Sequence, residues 1–219
     1  MIITADQSHS VMISGTSMTY HSRYGAIRES RHIYIDSGLA ELLNRKPLIH
    51  IFEMGFGTGL NALLTFIAAA SCNQSIYYET VDEFPLEKEI FEKLNYCDQL
   101  KRPDLNLFFQ QMHEARWQKE VRITPFFALK KCENSFQDYH FEKTFDIVFY
   151  DAFAPRAQRE LWTNQLFTKI FSALSPGGLL LTYCSKGDVR RAMEASGFRV
   201  YKLPGPPGKR EILKGVREK

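Results

Sequence analysis

The chain has 219 residues, 44% apolar and 13% aromatic, enough for one domain with a sizeable core. It contains no window of about 18 apolar residues, and the start, Met1-Ile2-Ile3-Thr4-Ala5-Asp6, lacks the basic and apolar regions of a secretory signal, so neither a membrane span nor export is expected and a cytoplasmic location is. Cys72, Cys97, Cys132 and Cys184 form no C-x-x-C pair and read as reduced thiols, not as a disulfide frame or a metal site. The net charge of +3 is unevenly spread. Residues 186–219 carry ten Lys/Arg against four Asp/Glu, a net of +6, which leaves −3 on the preceding 185 residues. A basic C-terminal segment suits an anionic partner such as RNA, or is a solvated surface.

Residues 1–46 precede the regular pattern. Ser10–Ser14 and Ser17–Tyr20, on either side of Gly15, read as a short β-hairpin. The stretch Tyr20–Ile35 is polar and aromatic, and its end, His32-Ile33-Tyr34-Ile35, alternates like a strand. A helix or turn through Leu39–Leu43 leads to the core. From residue 48, strands and helices alternate, the signature of an α/β sheet. Leu48–Phe52 is an apolar strand and Asn61–Ala70 a helix, followed by the strand Ser75–Val81. Pro85–Leu94 reads as a helix with proline in its first turn and Leu86, Ile90, Phe91 and Leu94 on one face. Residues 103–120 read as helical and Ile123–Leu129 as a strand. Phe145–Tyr150 is almost fully apolar, as the centre of a parallel sheet requires. A helix over 160–174 stops at Ser175-Pro176-Gly177-Gly178, and Leu179–Tyr183 is the next strand. A helix over 187–196 ends at Gly197. Phe198–Leu203 and Glu211–Lys214 read as a final antiparallel pair.

Between the first core strand and its helix runs Glu53-Met54-Gly55-Phe56-Gly57-Thr58-Gly59-Leu60-Asn61. Glycines at alternate positions let a backbone approach a ligand closely, and the helix N-terminus behind them offers free N–H groups. Dinucleotide loops are spaced G-x-G-x-x-G. The spacing here is G-x-G-x-G with an acid, Glu53, two positions earlier, which resembles the first motif of the S-adenosylmethionine (AdoMet) methyltransferases. Asp82, at the end of the next strand, stands where a ribose-binding acid belongs. The alternative is a glycine-rich turn without a ligand. Asp151 follows the central strand and projects to the same sheet edge, at a boundary between dry core and water that favours a functional acid over a turn or N-cap aspartate.

Several motifs then fall in order: Phe52-x-Met54-Gly55-Phe56-Gly57-Thr58-Gly59-Leu60-Asn61, Tyr150-Asp151-Ala152-Phe153-Ala154-Pro155 with Glu160-Leu161-Trp162, Ser175-Pro176-Gly177-Gly178, Lys186-Gly187-x-Val189-Arg190-Arg191, and Gly205-Pro206-Pro207-Gly208-Lys209-Arg210-Glu211. Together with Gly25-x-x-x-Glu29-Ser30-Arg31-His32-Ile33 they resemble the methyltransferase part of the bacterial tRNA 5-methylaminomethyl-2-thiouridine enzyme MnmC and its stand-alone relatives, MnmD, over roughly residues 17–215. Arg159 stands where that family's pattern has proline.

The resemblance implies a Rossmann-like class I AdoMet methyltransferase: a mostly parallel seven-stranded sheet with an N-terminal β-hairpin extension. Residues 1–46 would be the substrate-side extension and 47–219 the methyltransferase domain. It implies methylation of the primary amine of 5-aminomethyl-(2-thio)uridine at the tRNA wobble position, by a monomer that needs neither FAD nor a metal. Asp151 would hold the amine and accept its proton. Glu53, Gly55, Gly57, Gly59, Asn61 and Asp82 would bind AdoMet, with Glu133, or else Ser135, at the adenine. Tyr20, Tyr24, Glu29 and Phe153 would form the uridine pocket. Lys186, Arg190, Arg191, Lys209 and Arg210 would contact tRNA phosphates. Plain packing competes for Tyr20 and Tyr24, an arginine partner for Glu29, and a solvated helix face for Arg190 and Arg191. Other readings are methyl transfer to another RNA position or a protein, an aminopropyltransferase, and an RNA-binding module without turnover.

Overall fold

An eight-stranded sheet organises the chain, and its strand order places the functional residues. The computed structural model describes residues 1–13, 15, 16 and 18–218. The elements in chain order are β1 (Ile2–Ile3), β2 (His9–Ser10), α1 (Ala26–Ser30), β3 (Leu48–Met54), α2 (Leu60–Ser71), β4 (Ser75–Asp82), α3 (Lys88–Phe91), α4 (Tyr96–Gln99), α5 (Asn106–Glu114), β5 (Glu120–Thr124), β6 (Phe127–Glu133), β7 (Phe145–Tyr150), α6 (Asn164–Ala173), β8 (Leu174–Thr182), α7 (Gly187–Ala195), β9 (Arg199–Pro204) and β10 (Glu211–Val216). The sheet runs β5-β6-β4-β3-β7-β8-β10-β9. Its five middle strands are parallel; β5, β10 and β9 pair antiparallel at the two edges. The order reverses between β3 and β7, so the carboxyl ends of β3, β4 and β7 open on one crevice.

The middle strands are buried on both faces, and β7 is buried at all six positions. One face packs α1, α2 and α5 around Ile33, Tyr34, Leu63, Phe109 and Met112. The other packs α6 and α7 around Phe167, Ile170 and Met193. No helix among the described residues is long and apolar enough to cross a membrane.

The sheet has eight strands, one more than expected, because Glu120–Thr124 turns back as β5 against β6. The helix before it ends at Glu114, where Ala115 leaves helical geometry. His32–Ile35 is not a strand. It lies in a π-helical turn, Arg31–Asp36, continuous with α1. The alternation misleads there because Ile33, Tyr34 and Ile35 are all buried, and a one-sided strand cannot bury three consecutive residues. Pro85–Leu94 forms only the single turn α3: Glu87 is extended and Phe91 is the one fully buried apolar residue of the segment. The strand after α6 begins at Leu174, with Ser175–Gly178 accommodated as an irregularity in its pairing with β7. The N-terminal hairpin forms through a Met12–Thr19 bridge, with the Ile13 N–H donating to the Met18 carbonyl. Ser14 and Ser17 lie outside the described residues.

Phe52, immediately before the glycine loop, is fully buried among the rings of Phe136, Tyr139, Phe141 and Phe145, with centroids at 6.0, 5.3, 4.8 and 5.4 Å. Phe52→Ala should destabilise the fold by about 3–5 kcal/mol. Urea denaturation should show this as a lower midpoint at unchanged slope.

Candidate active site

The loop after β3 is shaped by two glycines with neighbours pressed against them. Gly59 caps α2 at φ +69°, and a Cβ there would fall 2.8 Å from His113 Nε2. Gly57 has φ +50°, and a Cβ would meet the Tyr20 ring at 3.0 Å. The Gly57 N–H donates to Asp82 Oδ2 at 2.8 Å, and the Phe84 N–H donates to Asp82 Oδ1 at 2.9 Å. Burial pushes the Asp82 carboxyl up, and these N–H groups and the Lys131 charge oppose the rise. Lys131 itself is buried beneath the loop. Its Nζ donates to the His113 carbonyl and lies 5.1 Å from the Phe56 ring centroid and 4.6 Å from that of Trp117. Burial lowers its pKa to about 8.

Asn61, in the first turn of α2, joins two carboxyl groups. Its Nδ2 donates to Glu53 Oε1 and to Asp151 Oδ2, both at 2.9 Å. The Tyr34 hydroxyl donates to Asp151 Oδ1 at 2.7 Å. Both Asp151 oxygens are therefore fixed. Burial raises the Asp151 pKa to about 6; the Tyr34 and Asn61 hydrogen bonds pull it down, Glu29 pushes it up and Lys209 lowers it. Burial raises the Glu53 carboxyl well above its ordinary range, and the Asn61 hydrogen bond opposes the rise. Glu53 Oε2 and Asn61 Oδ1 are buried and have no hydrogen-bond partner.

The loop that carries Asp151 is held from below. The Trp162 Nε1–H donates to the Phe153 carbonyl and the Tyr183 hydroxyl to the Ala152 carbonyl, each at 2.8 Å. Phe153 meets Tyr20 edge-on at 5.1 Å, so the hairpin residue bridges the glycine loop and the Asp151 loop. On the remaining side, the Ser22 N–H donates to Glu29 Oε2 at 2.7 Å, and Lys209 Nζ lies 3.3 Å from Glu29 Oε1.

These elements enclose a cavity of about 300 Å³, within the range of small-molecule sites. Tyr20, Glu29, Gly55, Gly57, Asn61, Asp82, Asp151, Phe153 and Lys209 line it together. Glu53 and Gly59 are buried behind its wall. Glu133 is exposed at the end of β6 and is not part of the lining; its neighbour Asn134 is, so the strand turns the acid away from the cavity. Ser135 also lies outside the lining, its hydroxyl bonded to Asp138 Oδ2. Tyr24 is outside the lining too, packed on the loop at Gly208, where a Cβ would lie 2.2 Å from its ring. Lys186, Arg190, Arg191 and Arg210 stand off the cavity, and Arg190 and Arg191 pair with Glu194 and Asp188 of their own helix. Sequence reasoning missed Tyr34, hidden by the strand-like alternation around it. It also missed Tyr183, although a tyrosine at the carboxyl end of a parallel strand was a usable signal.

Residues 92–218 match the model of a family described as S-adenosyl-L-methionine-dependent methyltransferases. The chain belongs to that family. This methyltransferase is also 32% identical over 215 residues to the tRNA 5-methylaminomethyl-2-thiouridine biosynthesis bifunctional protein MnmC of Nitrosospira multiformis, covering 90% of this chain and 33% of that protein. The protein of the same name from Pseudomonas fluorescens is 31% identical over 210 residues, covering 90% and 31%. The methyltransferase thus spans about a third of the length of these curated relatives. The crystal structure of MNMC2 from Aquifex aeolicus superimposes with a TM-score of 0.81 at 22% identity, over 99% of this chain and 69% of that one. Spermidine synthase from Thermotoga maritima shares the fold more loosely, with a TM-score of 0.53 at 12% identity, over 93% and 64%.

In the free protein, Tyr34→Phe removes a donor to the Asp151 carboxylate and keeps the ring, which packs 5.1 Å from Phe149. The Asp151 midpoint, followed by the ¹³C shift of its carboxyl carbon, should rise by about one pH unit. An unchanged midpoint would show that the hydrogen bond does not tune the acid.

Proposed function

We propose that this methyltransferase transfers the methyl group of AdoMet to the primary amine of 5-aminomethyl-(2-thio)uridine at the wobble position of tRNA. The observation that carries the reading is the Asp151 carboxylate, fixed by Tyr34 and Asn61, in the same cavity as the glycine loop. The names of the MnmC relatives supply the substrate class.

The residues present fit AdoMet. The space over Gly55 is open, with no atom nearer than 3.8 Å to a Cβ placed there. Glu53 Oε2 and Asn61 Oδ1 lack donors, and an amino acid ammonium is a donor. The backbone at Gly55 and Gly57, with Asn61, would hold the methionine end, and Asp82 the ribose hydroxyls. Bound there, AdoMet supplies an electrophilic sulfonium methyl.

The chain's own part is to present a neutral amine. Asp151 accepts a hydrogen bond from the amine and orients its lone pair. Held by the glycine loop and Asp82, AdoMet would supply the methyl group to that lone pair, and Asp151 would take the proton that the methylated nitrogen sheds and pass it to water. Positioning of this kind supplies up to roughly 7–11 kcal/mol. Asp151 must be ionised, so activity should rise with pH through about 6. Tyr20 and Phe153 offer rings for an unstacked base. Residues 1–46 form a substrate-side extension and 47–219 the AdoMet-dependent methyltransferase domain. Lys186, Arg190, Arg191 and Arg210 meet phosphates; the exposed pairs of Arg190 and Arg191 are weak enough to be exchanged for them.

The test incubates the protein with methyl-labelled AdoMet and tRNA from a strain lacking the modification, followed by digestion to nucleosides. Label in 5-methylaminomethyl-(2-thio)uridine is expected. Label in another nucleoside, or in none, would contradict the reading. Asp151→Asn should reduce turnover by roughly 10²–10⁴-fold. Calorimetry should find its AdoMet affinity unchanged.

A further inference from the structure

Grouped by sequence with the phosphate-contacting cations, Lys209 instead stands in the cavity wall. Its side chain is only 26% exposed, its Nζ lies 3.3 Å from Glu29 Oε1, and it sits 4.6 Å from the centroid of the Tyr183 ring. Its loop is tied down on both sides. The His32 Nε2–H donates to the Pro204 carbonyl at 2.8 Å, and Gly208 packs on Tyr24. The ammonium is therefore held in place beside Asp151, unlike the exposed Arg210 next to it.

Without Lys209, Glu29 would present an uncompensated carboxylate to a bound amine, in addition to Asp151 and to Asp82 and Glu83, which also line the cavity. An aliphatic amine has a pKa of around 10, and each nearby carboxylate raises it further. An ammonium has no lone pair and cannot attack. We propose that Lys209 is a positioning residue of the amine pocket: by compensating Glu29 it leaves Asp151 as the single proton acceptor and keeps the amine nucleophilic. This rests on the amine-methylation reading. The other titratable and charged groups around the site are Tyr20 and His21 from the N-terminal segment, Tyr34 from the π-helical turn, Glu53 behind the wall on β3, Asp82 and Glu83 at and just after the end of β4, Arg156 from the loop after β7, and Tyr183 after β8. Burial holds the Glu53 carboxyl well above its ordinary range, and Asp82 is engaged by the glycine loop.

The test compares the full-length protein with its Lys209→Met and Lys209→Arg variants. Met keeps the aliphatic stem over Tyr183 and removes the charge. In Lys209→Met the acid limb of kcat against pH should move up by about one pH unit, a loss of about twofold near pH 7 that approaches about tenfold near pH 5 and recovers by about pH 9. Lys209→Arg should restore the wild-type profile. The dependence of tRNA affinity on salt should keep its slope. An unmoved pH profile with a slope reduced by roughly 0.7–0.9 would make Lys209 a phosphate contact and overturn the proposal. Carboxyl ¹³C titration of the free protein separates this from the function itself. Lys209→Met should raise the Asp151 midpoint whether or not the wild type methylates this nucleoside, and an unchanged midpoint overturns the proposal.

Discussion

The Asn61 carboxamide holds the site together. One amide nitrogen spans Glu53 at the end of β3 and Asp151 at the end of β7, at 2.9 Å each. These strands are neighbours where the sheet order reverses, so the bridge locks the floor of the crevice. Asn61 can do this because α2 is capped two residues earlier by Gly59, which accepts the left-handed backbone and the close approach of His113. The glycine loop thus does more than clear space for a ligand. It places the amide that fixes the Asp151 carboxylate.

Three acids stand at the strand ends around this crevice, Glu53, Asp82 and Asp151, and burial raises all three. What differs is compensation. Glu53 sits behind the wall with one amide donor, and burial holds its carboxyl well above the ordinary range. Asp82 is answered by backbone N–H groups and by the Lys131 charge beneath the loop. Asp151 receives two side-chain donors and settles near neutrality, where a carboxylate can hold an amine and still take a proton. The three roles follow from surroundings rather than from residue type. The interior charges are placed apart: Lys131 lies beneath the glycine loop and Lys209 in the wall against Glu29.

The parallel core was legible in the sequence because its strands are short, mostly apolar runs. The cavity was legible where strand ends could be counted, at Gly55, Asp82 and Asp151. What stayed hidden depends on geometry that periodicity does not report. Ile33 and Ile35 alternate, yet the chain coils there, and that coil delivers the Tyr34 hydroxyl to Asp151 across 117 residues of sequence. Glu133 and Asn134 are adjacent, and only the path of the chain decides which lines the cavity. Lys209 sits in a basic run, so charge alone could not separate it from Arg210.

The most direct measurement is a crystal structure of the protein with S-adenosylhomocysteine and an anticodon stem-loop carrying 5-aminomethyl-uridine. The amine nitrogen should lie within about 3 Å of an Asp151 oxygen, with the Tyr34 and Asn61 contacts kept. An amine seated away from Asp151, with the carboxylate facing only solvent or protein, would contradict its place at the centre of the mechanism.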